Sequence, residues 1–352
     1  MTEADILKAL SNVQEPDLGK DLVTLNMVKD IAIDGNNVAF TIVLTTPACP
    51  MKDMMQRASE NAIKLLVNKA ANVTVNFTAN TTTKRSDSQQ MLPGVKNIIA
   101  VVSGKGGVGK STVAVNVAVA LAQSGAKVGL LDADIYGPND PTMLGLSEAQ
   151  VMVSKGEKGD ILEPVFNYGV KLVSMGFLIG KDQPVIWRGP MLNGIIRQFL
   201  YQVQWGELDY LIVDMPPGTG DAQLTLTQAV PMAGAVIVTT PQTVALLDSR
   251  KGLRMFQQMN VPVLGIVENM SYFIPPDMPD KQYDIFGSGG GEKRAKELGV
   301  PLLGRVPLEI STRVGGDTGV PIVTGEPDSV SAKALRAIAQ TIAGRVSVVA
   351  LS

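Results

Sequence analysis

The stretch SGKGGVGKST, residues 103–112, decides the fold. Gly104-x4-Gly109-Lys110-Ser111 matches the full spacing of a phosphate-binding Walker A loop. The apolar run NIIAVVS precedes it and STVAVNVAVALAQSG follows, which is the strand–loop–helix context the motif requires. Glycines let backbone amides turn toward phosphate oxygens, Lys110 neutralises the β and γ charges, and Ser111 can ligate Mg²⁺. The candidate nucleotide cradle is therefore Gly104, Lys105, Gly106, Gly107, Val108, Gly109, Lys110, Ser111 and Thr112. Lys105 is a second lysine that the spacing does not require.

Downstream, YLIVDMP, GAVIVTTP, VLGIVENM and LLGRVP are near-continuous apolar runs, as are NIIAVVS and KVGLLDAD before them. Strands buried on both faces have this appearance, so the expected fold is α/β, a mostly parallel sheet wrapped by helices. Ligands bind at the carboxyl ends of such strands. Asp132 and Asp134 end the second run and Asp214 ends the third. In P-loop enzymes a strand-end Asp holds Mg²⁺ through water, which makes Asp214 the candidate. Asp132 would complete the metal's water shell and Asp134 would orient the attacking water. An Asp in such a place can also be a plain helix cap.

Residues 78–96, TANTTTKRSDSQQMLPGVK, are polar and end in Pro-Gly, which reads as a linker. The expected division is a small α+β domain over 1–79, a linker over 80–96 and the P-loop domain over 97–352. In the small domain Thr2 and Asp5 suggest a capping box, with Ile6, Leu7, Leu10 and Val13 as the stripe of a first helix. Residues 22–33 and 38–46 read as strands around DGNN, a helix runs from about Pro50 to Lys69, and Val73, Val75 and Phe77 alternate in a last strand.

Composition narrows the chemistry. A net charge of −2, a pI near 5.4 and no run of like charge argue against a nucleic-acid binder. The start MTEADILKAL lacks a basic n-region, and no apolar stretch suggests a membrane span, so a cytoplasmic protein is expected. One cysteine excludes an internal disulfide and fits a reducing compartment. The chain has no histidine, so catalysis must run on carboxylates, lysines, amides and metal-bound water.

GKGGVGKST resembles the deviant Walker A of MinD/ParA-type ATPases, which carry an extra lysine early in the loop. DADIYGPN, WRGPM, DMPPGTGD, TTPQTVALLDSRKG, ENMSYF and YDIFGSGGG together resemble the Mrp/NBP35 (ApbC-like) branch over residues 96–345. EPDLGKDLVTLNMVKDI and TTPACP resemble the MIP18 (DUF59) domain often fused to it. The resemblance implies ATP-binding homodimers that hold iron–sulfur clusters and transfer them to apoproteins, working with cluster assembly factors. It implies that Lys105 reaches the partner subunit's nucleotide, and that Asn269 recognises adenine. Arg188, Asp248 and Arg250 fall in family-like segments that would line a dimer or partner surface.

The chain departs from the family in one respect. A Cys-x-x-Cys, expected shortly after NMSYF to share a cluster between subunits, is replaced by Pro275 and Met278. Proline offers no side-chain ligand and a thioether is a poor substitute for a thiolate on cluster iron. Cys49 remains as a possible iron–sulfur ligand. Preceding Pro50, it is expected to cap a helix N-terminus, which would lower its pKa. Three functions follow: an ATP-dependent cluster carrier or assembly factor; a ParA/MinD-type positioning switch; or a nucleotide-dependent scaffold that no longer holds a cluster. The C-terminal stripe Ala334, Leu335, Ile338, Ile342 and Val346 bears on the second, since it fits either a membrane-surface helix or one packed on the sheet.

Overall fold

The computed structural model describes residues 1–81, 92–135, 137–156, 159–177, 189–218, 220–242, 245, 252, 254–278 and 280–351. They form two compact units, Met1–Thr83 with Ala343–Ser352, and Lys84–Ile342.

The first unit opens with α1 (Glu3–Leu10), whose capping box is present: the Thr2 hydroxyl accepts from the Asp5 amide, and Asp5 accepts from the Thr2 amide at 2.8 Å. Ile6, Ala9 and Leu10 are buried. Strand β1 (Gln14–Glu15) pairs antiparallel with β2 (Lys20–Asp21). The strand expected over 22–33 starts only at Val28, as β3 (Val28–Asp34). Asp21 is the reason: its Oδ1 accepts from the amides of Val23 and Thr24 at 3.0 and 2.8 Å and holds a turn there. In β4 (Asn37–Leu44) Val38, Phe40, Ile42 and Leu44 all point into the core, as the alternation requires. Helix α2 (Lys52–Leu66) then crosses back, and β5 (Asn72–Ala79) pairs parallel with β4 to give the order β3-β4-β5.

The second unit holds an eight-stranded sheet, one face of which packs Ile98, Ala100, Val102, Leu131 and Val213 into an apolar core. The six apolar runs are strands: β6 (Val95–Ser103), β7 (Val128–Asp132), β12 (Leu208–Asp214), β13 (Gly234–Thr239), β14 (Val263–Glu268) and β15 (Leu302–Arg305). Two further strands, β10 (Val165–Asn167) and β11 (Val170–Ser174), extend the sheet. The order is β10-β11-β7-β12-β6-β13-β14-β15, and every pairing is parallel except the edge pair β10–β11. A separate hairpin pairs β8 (Met152–Gly156) with β9 (Gly159–Glu163).

Helix α3 (Lys110–Gln123) is buried from Val113 through Leu121 on nearly every side. Its valines disfavour a helix on their own, so burial against the sheet overrides local preference. The last helix, Val330–Leu351, buries Leu335, Ile338, Ile342 and Val346. By length and composition it could cross a membrane, contrary to the expectation from sequence. Its apolar stripe is nonetheless occupied: a Cβ on Gly304 of β15 would meet Ile338 at 2.6 Å, so the helix lies directly on that strand.

Candidate nucleotide site

The loop leaves β6 at Ser103, whose hydroxyl donates to the Lys105 carbonyl at 2.9 Å. Gly107 and Gly109 have φ of 79° and 77°, the left-handed region that glycine enters without strain. At Gly109 there is a second constraint, because a Cβ would sit 2.2 Å from Asn269 Nδ2. Gly109 also caps α3, and among the described residues no side-chain cap bond reaches that helix's first amides. Those amides and the positive end of the helix dipole are left for an anion.

Three strand-end carboxylates converge below the loop. Lys110 Nζ lies 2.6 Å from Asp214 Oδ1 and 3.9 Å from Asp134 Oδ2, while Ser111 Oγ donates to Asp214 Oδ2 at 2.6 Å. Asp132 accepts from Ser174 Oγ at 2.8 Å and from the Asp134 amide at 3.1 Å. Burial opposes the charge on Lys110, but Asp214, Asp140 and Asp134 together hold its pKa above the ordinary lysine value. Burial pushes Asp132 up to about 7, with the Asp214 charge adding to it and the Ser174 hydroxyl opposing. Burial likewise raises Asp214, against the pull of Lys110. A fourth carboxylate, Asp140 at the start of α4 (Asp140–Met143), was not singled out from sequence. It is fully buried, and burial and then Asp132 push it well above the carboxylate range. NDPTM reads as an ordinary helix start, so nothing local signals that Asp140 faces inward.

Oxygens of Asp132, Asp140 and Asp214 lie within 4.8 Å of one another. An all-oxygen, buried and anionic set of this kind, with the Ser111 hydroxyl beside it, suits a hard divalent cation such as Mg²⁺.

Asn269 reaches the loop from the end of β14. Its Nδ2 donates to the Val108 carbonyl at 2.9 Å, so the amide group braces the phosphate loop and leaves Oδ1 for other contacts. It also lines a cleft of about 350 Å³ with Thr112, Asn139, Met143, Pro307 and Thr312. Glu268 beside it, another residue the sequence did not flag, is fully buried and anchors the turn. It accepts from Ser271 Oγ, the Gly291 amide and Arg305 Nε. A Cβ at Gly291 would come within 2.8 Å of the Glu268 carboxylate, so GSGGG is a close approach, and its last two glycines already open the helix Gly290–Leu298. The signal was a lone acid at the end of an apolar strand.

The Lys105 side chain, half-buried at the loop's start, forms no ion pair with any described residue. Arg188, Asp248 and Arg250 lie outside the described residues.

Cys49 is not a helix cap. Helix α2 begins at Lys52 with Met51 as its cap residue, two positions beyond the cysteine, because the chain completes a turn through Pro50 and Met51 first. The half-buried thiol is pushed up, not down: burial dominates, the Glu15 and Asp17 carboxylates add to it, and the amides of Met51 and Lys52 offset only part. Iodoacetamide should therefore alkylate Cys49 slowly at pH 7.5, with the rate still climbing above pH 9. A rate that levels off below pH 8 would contradict this.

A phosphate loop leaving a central parallel strand, with a carboxylate on the adjacent strand facing its lysine and serine, defines a P-loop nucleoside triphosphatase. Residues 94–343 match the family described as NUBPL iron-transfer P-loop NTPase, and the chain belongs to it. Residues 3–77 match the iron–sulfur cluster assembly protein family. The chain is 70% identical over 352 residues, all of it and 99% of the relative, to an iron–sulfur cluster carrier protein of Synechocystis. A nucleotide-binding protein from Archaeoglobus fulgidus, solved in complex with ADP, is 42% identical, with a TM-score of 0.57 over 65% of this chain and 88% of that one. The cell-division ATPase MinD of Pyrococcus furiosus is 25% identical, with a TM-score of 0.50 over 70% and 98%.

Proposed function

We propose that this chain binds and hydrolyses ATP and carries an iron–sulfur cluster to apoproteins. The observation that carries the reading is a complete nucleotide site of Lys110, Ser111 and Asp214 inside a chain whose family is described by iron transfer. Its relative's name, iron–sulfur cluster carrier protein, supports the same cargo. Mg²⁺ would be held by Ser111 and Asp214 with Asp132 behind, and when bound it neutralises charge on the β- and γ-phosphates. Lys110 meets those phosphates, which requires it to leave Asp214. Asp134, at the edge of the cluster, orients the attacking water. The base occupies the cleft beside Asn269, whose remaining Oδ1 reads adenine. Hydrolysis is assigned to a homodimer in which Lys105 serves the partner's site. The proposed layout is a small domain over 1–79, a linker over 80–96 and an ATPase domain over 97–352, although β6 already begins at Val95 and residues Ala343–Ser352 group with the first unit. The protein works in the cytoplasm on apo iron–sulfur proteins and their assembly factors, with neither nucleic acid nor membrane as a partner.

The cluster is cargo, and its ligands are the unusual part. Met278 is exposed and Pro275 has no donor, so no thiolate pair arises where the family resemblance places one. Cys49 is the one thiol, and two copies supply two thiolates, with the rest from carboxylate, backbone, small thiols or a recipient. A raised thiol pKa does not forbid this, because iron displaces the proton when it binds. Anaerobic reconstitution with iron and sulfide is expected to load the wild type and not Cys49→Ala, read as chromophore and as iron and sulfide per chain. Should neither chain load, carriage falls. The single cysteine then favours the second reading, an ATP-driven assembly scaffold.

A further inference from the structure

Asp140 has a carboxylate with nothing to do in the fold. It is fully buried, and among the described residues neither of its side-chain oxygens has a hydrogen-bond partner. Buried carboxylates are ordinarily paired, hydrogen-bonded or bound to a metal. The neighbours are otherwise provided for: Asp214 is held by Lys110 and Ser111, and Asp132 by Ser174 and the amides of Asp134 and Asp140. One Asp140 oxygen joins an oxygen from each of those two carboxylates, all within 4.8 Å of one another.

We propose that Asp140, Asp132 and Asp214 form a divalent-cation site that fills without nucleotide. Charge supports a divalent ion. Four buried carboxylates, Asp132, Asp134, Asp140 and Asp214, gather around one ammonium, Lys110, among the described residues, and a divalent ion offsets most of the excess. Oxygen donors select Mg²⁺, Mn²⁺ or Ca²⁺ over softer metals. In a P-loop site the metal is held largely by the loop hydroxyl and by the nucleotide's own phosphates, and it arrives with them. A third carboxylate aimed at the same place changes that order. The resting protein holds the cation first, and Ser111, bonded to Asp214, stands where a phosphate-bound metal would be handed over. This inference rests on reading the site as one for Mg²⁺ and nucleotide only in that last step; the cation site stands on the carboxylates alone.

The test uses the full chain stripped of nucleotide and metal, titrated with Mn²⁺ while free Mn²⁺ is followed by electron paramagnetic resonance. The wild type is expected to take up one Mn²⁺ per chain, and Asp140→Asn to bind at least about tenfold more weakly. Thermal melting guards against misfolding. Wild type should gain stability from Mn²⁺, whereas Asp140→Asn should melt cooperatively in EDTA and gain much less. Absence of Mn²⁺ uptake by the nucleotide-free wild type overturns the proposal, and so does equal affinity in Asp140→Asn. ATP binding by the wild type in Mg²⁺ is measured alongside. ATP bound without prior Mn²⁺ uptake sinks the cation site and leaves the nucleotide reading intact, while Mn²⁺ uptake without ATP binding does the reverse.

Discussion

Lys105→Ala is expected to bind ATP with affinity within a few-fold of wild type and to hydrolyse it about 10³-fold more slowly, the lower end of what a charge supplied to the transferred phosphoryl group contributes. Geometry separates the two lysines. Lys110 is buried against Asp214 at 2.6 Å, inside its own nucleotide site. Lys105 is half-buried at the start of the loop, its backbone fixed by Ser103 and its ammonium in no ion pair with a described residue. The loop's own cradle is complete without it, so its removal should spare ground-state binding. What is lost is a cation placed against charge that develops during transfer, which lowers kcat more than it raises KM. Supply of that cation by a second chain adds a further signature: specific activity should rise with protein concentration in the wild type and stay flat in Lys105→Ala. A variant that turns over at the wild-type rate would remove Lys105 from the chemistry and leave it a solvated loop residue.

The parts of this molecule that were legible in the sequence are those in which one physical signal dominates. Six strands were readable because burial on both faces excludes polar residues from NIIAVVS or YLIVDMP. The strand-end acids stood out against that background. The edge strand β10 and its neighbour β11 were not readable. They are short, and their two-residue turn is Tyr168-Gly169, with φ of 48° at the tyrosine, where Asn-Gly would have announced a hairpin. Residues 22–27 looked like strand because apolar residues dominate, yet Asp21 diverts the backbone with two local hydrogen bonds. Cys49 shows the opposite failure. The Met51 and Lys52 amides do donate to the thiol, but burial, with Glu15 and Asp17 beside it, is the larger effect, and only the fold reveals it. Asp140 is the same lesson at the nucleotide site. Its chemistry was in the sequence, and its surroundings were not.

Those surroundings make Lys110→Met the variant with the largest expected effect on stability. Among the described residues the ammonium is the one cation beside Asp132, Asp140 and Asp214, all fully buried. Deleting it leaves uncompensated charge in the interior, a change that costs about 3–5 kcal/mol where one partner of a buried pair is removed. The loss should depend on pH, and its sign is fixed by the carboxylates. Their folded-state pKa values are raised, so between about 4 and the folded value the folded protein holds protons that the unfolded chain releases, and stability falls as pH rises. In the wild type that fall ends near 7 for Asp132. Without Lys110 the carboxylates shift further up, and the fall continues through pH 8. At lower pH, where the raised carboxylates keep their protons in the fold, less separates the two proteins. Urea unfolding in EDTA at pH 5, 6.5 and 8 should therefore show a gap that widens with pH, together with loss of ATP binding at every pH. A gap of constant size would mean that Lys110 acts through packing alone and that the carboxylates around it are not charged in the folded protein.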